Sequence, residues 1–236
     1  MGGTGKMIKF FKYISIVFND IVKFFITYLP GPTGRKLRYL YWKGKFKKCG
    51  KNVMIDEGVI IQNPEWITIG DNVWIDKYCV LIAGPVNLIN RMVIRRENKN
   101  FTLNEGELII GSGVHIGIFN IIQAHGGVYI GNNTTTSAGV KIYSLSNMIV
   151  NKESPDMVLY ANCMVNQQDL VGYVASPIVI EDGVWIALNS VVLGDRIGKN
   201  SFIATNSLVL SDIPENSYAV GNPAKKIKDR FKTEEQ

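Results

Sequence analysis

Aliphatic side chains recur along this chain every six residues, in three stretches separated by loops. From Ile180 the beat runs Ile180, Ile186, Val192 and, after a five-residue step, Ile197, Ile203, Val209. Upstream it runs Ile110, Ile116, Ile122, then Ile130, Thr136, Ile142, and before those Ile69, Ile75, Leu81. Gly follows the beat residue at Gly70, Gly111, Gly117, Gly131 and Gly198. An amphipathic helix repeats near 3.6 residues and a half-buried strand near 2, so neither accounts for the pattern. A six-residue unit fits a coil of short parallel strands, each turning one apolar residue inward. Three units make a triangular turn, and stacked turns bury one column of Ile and Val. An ordinary β-sandwich would have no reason to hold this phase across three stretches. The expected fold is therefore an all-β solenoid.

The beat breaks at residues 83–107 and 147–177. Both stretches are too long for turns, and long insertions on a rigid scaffold are where binding sites concentrate. Residues 7–29 read as a helix stopped by Pro30-Gly31-Pro32. One stripe of it holds Lys9, Lys12, Ile16, Asn19, Asp20, Lys23 and Thr27, and the remaining face carries Phe, Ile and Val. The expected organisation is a helix and basic connector over 1–50, the coil over 51–219, and a C-terminal tail over 220–236. Within that tail, residues 224–231 read as a short basic helix or tail.

Charge sharpens this division. The net charge is +6. Through Ile55 there are 12 Lys and Arg against the single acid Asp20, a net of +11, so the remainder carries −5. The ionisable groups inside the helix argue against a membrane span. Two readings stay open: a helix lying in an anionic lipid interface, or a cap on the end of the coil. Nucleic acid is a weaker partner, because the aromatic residues are not interleaved with the basic ones. The three cysteines lack metal-ligand or disulfide spacing, which suggests free thiols in a reducing, cytoplasmic setting, with peripheral membrane contact through residues 7–29 if the lipid reading holds.

The stretch Ile180-Glu181-Asp182-Gly183-Val184-Trp185-Ile186, and the ending Ser211-Asp212-Ile213-Pro214-Glu215-Asn216-Ser217 followed by Val220-Gly221-Asn222-Pro223-Ala224-Lys225, resemble the last coils of hexapeptide-repeat acyltransferases. The resemblance covers residues 50–228, and the Leu29-Pro30-Gly31 entry resembles the branch acting on bacterial surface polysaccharides. It implies a left-handed parallel β-helix, a homotrimer with sites between subunits, and acetyl-coenzyme A as donor. In the maltose and galactoside acetyltransferases a catalytic histidine occupies the position that here is Asn147. One coil earlier, the family's substrate-contacting acid lies in the turn Gln123-Ala124-His125-Gly126-Gly127. Stacked coils stand about 4.8 Å apart, so His125 and Asn147 would share one cleft, His125 as general base and Asn147 binding substrate or the oxyanion. A plain turn histidine at position 125 is the alternative. The resemblance places coenzyme A on Ala187, Ala204 and Thr205, with Lys225 and Lys228 near its phosphates. His115 precedes a beat residue and reads as a strand-edge or subunit-contact position.

Two histidines are too few for a three-His zinc hydratase on this scaffold, and no metal is expected. The leading expectation is acetylation of a hydroxyl on a saccharide or polysaccharide precursor. N-acetylation of an amino sugar nucleotide or of a drug is the alternative within enzymes, and an inactive trimeric scaffold is the alternative outside them. Acceptor contacts are expected from Arg91, Arg95, Arg96, Glu97, Tyr160, Asn162, Gln167 and Gln168.

Overall fold

The computed structural model describes residues 3–89, 91–96, 101–161 and 166–232. Glu97, Asn162 and Cys163 lie outside these, as does the side chain of Gln168. Three parallel sheets form the body, and the chain visits them in fixed rotation. The first face stacks Lys48–Cys49, Ile67–Ile69, Leu108–Ile110, Val128–Ile130, Ile178–Ile180 and Arg196–Ile197. The second stacks Met54–Ile55, Trp74–Ile75, His115–Ile116, Thr135–Thr136, Trp185–Ile186, Phe202–Ile203 and Ser217–Gly221. The third stacks Ile60–Gln62, Val80–Ile82, Ile121–Gln123, Lys141–Tyr143, Val191–Val192 and Leu208–Val209. Parallel sheets visited in this order fit the expected left-handed β-helix.

The register follows the six-residue beat. Ile75 pairs with Ile116, Ile116 with Thr136, Thr136 with Ile186 and Ile186 with Ile203, and all five are fully buried. Polar side chains tie successive coils at the corner between the first and second faces. The N–H of Lys51 donates to Asp71 Oδ1 (2.6 Å), that of Asp71 to Ser112 Oγ (3.0 Å), that of Ser112 to Asn132 Oδ1 (2.8 Å) and that of Asn132 to Asp182 Oδ1 (2.7 Å). The corners between the first and second faces and between the second and third also place a residue in the left-handed region. Asn supplies it at Asn72, Asn133, Asn189, Asn200 and Asn206, a residue whose short side chain tolerates that backbone.

The two N-terminal helices are α1 (Gly3–Tyr28) and α2 (Gly31–Lys43). The segment expected as a basic connector is largely α2, a correction with a clear cause. Pro30-Gly31-Pro32 ends α1, but Pro32 also sits in the first turn of α2, where its missing N–H costs nothing and its φ suits a helix. The cap on the coil comes from α2 and the turn after it: Trp42 and Phe46 are 4% and 7% exposed and join the core. Buried Arg38 ties α1, α2 and the coil together. Its Nε donates to Ile55 O (2.7 Å) and its Nη1 to Ile26 O (3.1 Å) and Leu29 O (2.6 Å). Helix α2 begins so close to the end of α1 that a Cβ on Gly34 would lie 1.8 Å from Leu29 O.

The C-terminal segment is also corrected: Ala224–Asp229 is a strand, antiparallel to Ser217–Gly221. The strand it joins would otherwise end the second sheet with open backbone groups. The lysine-rich segment closes that edge and leaves charges facing outward. The two insertions are not independent loops. Leu145–Asn147 pairs antiparallel with Gly172–Ala175, which pairs parallel with Met92–Arg95 from the other insertion.

Candidate active site

Both insertions leave the coil at one corner, between the third and first faces, and His125 occupies that corner on the coil between them. The first exit follows Val80–Ile82 and the second follows Lys141–Tyr143. His125 lies between Ile121–Gln123 and Val128–Ile130. Its backbone is held from both sides. Gly106 N–H donates to His125 O (2.9 Å), and Gly126 N–H donates to Ser144 Oγ (2.9 Å). The glycine at 126 is obligatory, since a Cβ there would lie 2.3 Å from Ser144 O. Gly127 turns the chain at φ +94°.

The ring is oriented by the first insertion: Nδ1 lies 2.8 Å from Gly84 O. A carbonyl oxygen only accepts, so Nδ1 carries the proton and the neutral ring keeps its lone pair on Nε2. Among the described residues Nε2 has no hydrogen-bond partner. His125 is half-buried.

Two cavities flank this corner. One, of about 320 Å³, includes Arg95, Arg96, Phe101, Glu105, Gly126 and Pro177 in its lining. Arg95 Nε is paired with Glu105 Oε1 at 2.5 Å, and Phe101 packs on Tyr129 with ring centroids 4.6 Å apart. The other, of about 400 Å³, includes Arg96, Ser146, Asn147, Lys152, Ser176 and Leu210. Arg96 is exposed and lines both. Asn147 thus faces the second cavity, while the corner of His125 borders the first. Of the other expected acceptor residues, Arg91, Tyr160 and Gln167 line neither.

The donor residues lie on a different corner, between the second and third faces. Gly117, Ser137, Ala187 and Ala204 follow the strands that stack there, so this edge is small-sided over four coils. The N–H of Ala187 is spent on Ile203 O (2.8 Å) and that of Ala204 on Ala219 O (2.9 Å), and Ala204 O accepts from Ser190 Oγ (2.9 Å). Thr205 is exposed. Lys225 and Lys228 are exposed on the last strand, with Lys228 Nζ 4.9 Å from the Tyr218 ring centroid. One chain therefore does not bring His125 together with Ala187, Ala204, Thr205, Lys225 and Lys228 at a single corner.

His115 is on the second face, away from His125. Its ring stacks on Trp74 at 4.7 Å, and its Nε2 is 3.8 Å from Asp76 Oδ2. It belongs to an outward row that runs Met54, Trp74, His115, Thr135, Trp185, Phe202 and Tyr218. The beat hid this row, because it reports only inward positions. Among the described residues no group of three or more His, Cys, Asp or Glu is placed to hold a metal ion.

No family model matches the chain. A Saccharomyces cerevisiae protein, YJL218W, is 35% identical over 122 residues, 50% of this chain and 57% of the length of that relative. An Escherichia coli dTDP-4-amino-4,6-dideoxy-D-glucose acyltransferase is 28% identical over 188 residues, 79% of this chain and 84% of that one. Among solved structures, a variant of Bacillus cereus AntD, an N-acyltransferase, in complex with dTDP-4-amino-4,6-dideoxyglucose and coenzyme A superposes with a TM-score of 0.64. That match has 22% identity and covers 83% of this chain and 89% of AntD. At that identity the AntD likeness is one of fold. Sequence similarity points to an activity class: the relatives matched in sequence bear the names of acetyl- and acyltransferases.

Proposed function

We propose that this protein transfers an acyl group from an acyl-coenzyme A to the amino group of a nucleotide-linked amino sugar, on a left-handed β-helix assembled as a trimer. Sequence alone favours a saccharide hydroxyl. A relative that covers 79% of the chain is named for an amino sugar nucleotide acceptor, which moves the amine ahead. The observation that carries the reading is the hydrogen bond from His125 Nδ1–H to Gly84 O, which leaves Nε2 as a base at the corner where both insertions meet.

In this reading Nε2 takes the proton from the attacking amine as the new amide bond forms, and the resulting imidazolium returns it to the departing thiolate. Arg96, lining both cavities, meets the acceptor's diphosphate, and bidentate pairing suits guanidinium to that task. Asn147 contacts the acceptor from the second cavity. The donor fits the small-sided edge at Ala187 and Ala204 beside exposed Thr205, with Lys225 and Lys228 free to meet phosphates. Base and donor corners then come from adjacent subunits.

The test uses full-length protein, acetyl-coenzyme A and dTDP-4-amino-4,6-dideoxyglucose, with thiol release and product mass as readouts. Thiol release with an amide product is expected. An ester on a neutral saccharide, cleaved by hydroxylamine, would instead restore the hydroxyl reading. His125→Ala should lower turnover roughly 10²–10⁴-fold with little change in coenzyme A binding. Wild-type turnover in that variant would remove His125 from the chemistry.

A further inference from the structure

We propose that α1 is a membrane-docking helix that lies in the interface of an anionic lipid bilayer. The proposal is independent of the acyl-transfer reading. Phe11, Phe18 and Phe25 fall seven residues apart on one line of α1 and are 63%, 64% and 63% exposed. Phe10, Ile14 and Ile21 flank that line and are exposed as well. A helix face in water ordinarily buries such a stripe against its own domain. Here the domain has no room for it, because α2, Trp42 and Phe46 already close the end of the coil.

Contact between α1 and the body is confined to its C-terminal end. Thr27 is the buried residue there, Gly58 N–H donates to Thr27 O (2.8 Å), and Arg38 holds Ile26 O and Leu29 O. Residues 10–21 of the helix are all exposed. At 1.5 Å per residue its 26 residues extend about 39 Å. No helix of the described residues is long and apolar enough to cross a membrane, and Lys12, Asp20 and Lys23 interrupt this one.

Charge selects the occupant. Lys12, Lys23, Lys36, Lys43, Lys45 and Lys48 are exposed around the apolar stripe, with Asp20 the one acid in a segment of net charge +11. A second copy would bring another such segment against the first, and like charges in juxtaposition oppose that pairing. An anionic surface accepts both features: the phenylalanines enter the acyl boundary while the lysines reach phosphates.

Flotation of the full-length protein with phosphatidylcholine vesicles, with and without phosphatidylglycerol, tests this. Binding is expected to need phosphatidylglycerol, to exceed that to phosphatidylcholine alone by about tenfold or more, and to weaken as salt screens the charges. The triple change Phe11→Glu, Phe18→Glu and Phe25→Glu should abolish flotation while leaving thermal unfolding unchanged, since these side chains are exposed and take no part in the core. Lys12→Glu with Lys23→Glu should reduce the preference for the anionic lipid. The proposal falls if wild type stays at the bottom of the gradient with anionic vesicles. It falls equally if the triple variant floats as well as wild type, or if that variant instead dissolves a larger assembly seen in the absence of lipid.

Discussion

At position 136 the inward column carries a hydroxyl where its neighbours carry methyls. Thr136 is fully buried between Ile116 and Ile186, and its Oγ1 has no hydrogen-bond partner among the described residues. A buried unsatisfied hydroxyl costs about 1–3 kcal/mol, and valine has the same branched shape without it. Thr136→Val is therefore expected to raise stability by about 1 kcal/mol, read as an upward shift in the thermal midpoint; a lower midpoint would mean the hydroxyl has a partner. Cys79 behaves differently. Burial pushes its thiol up to about 12, and its Sγ donates to Gly117 O at 3.0 Å. Nucleophilic reactivity belongs to the thiolate, so alkylation of Cys79 at pH 8 should await unfolding. Peptide mapping of native and denatured samples measures this, and rapid labelling of native Cys79 would contradict its burial. At residue 125 the structure adds what a motif cannot hold: the tautomer, set by a carbonyl 41 residues earlier in the chain.

Among the elements, those with a period were legible and those shaped by a partner were not. The beat from Ile69 to Val209 located the coils, because burial on a three-sided column leaves one inward residue per side. Helix α2 carries no such mark. Its buried residues are Gly34, Arg38 and Trp42, spaced by four, and two of the three look like surface residues in a basic stretch. The strand Ala224–Asp229 was equally hidden, because it exists to pair with Ser217–Gly221 and shows no alternation of its own. The excursion sheet joins segments some eighty residues apart, so no local pattern could announce it. The cap gives the element-scale prediction. Trp42→Ala should destabilise the coil by about 3–5 kcal/mol, the usual cost of emptying a large aromatic site. Removal of residues 1–25 should leave the thermal midpoint nearly unchanged, since that part of α1 makes so little contact with the body. Equal losses in the two would mean that α1 shares the capping role.

For the whole molecule, the separation of corners decides how a working site is made. His125 is on the corner between the third and first faces, while Ala187 and Ala204 are on the corner between the second and third. In the proposed trimer, the rotation that closes three triangular columns sets one chain's first kind of corner against the neighbour's second kind. Such an interface is heterologous and closes into a ring. A site then needs a sound His125 from one chain and a sound donor edge from the next, which mixing of subunits can measure. His125→Ala removes the base, and Ala204→Trp fills the donor edge; each variant alone should be close to inactive. Denatured together in equal amounts and refolded, they should recover about a quarter of wild-type turnover, because one adjacent pair in four combines the two intact corners. Sedimentation should show the same trimer in the mixture as in wild type. If the mixture sediments as a trimer and stays inactive, both corners serve one site within a single chain, and the shared-site reading is wrong.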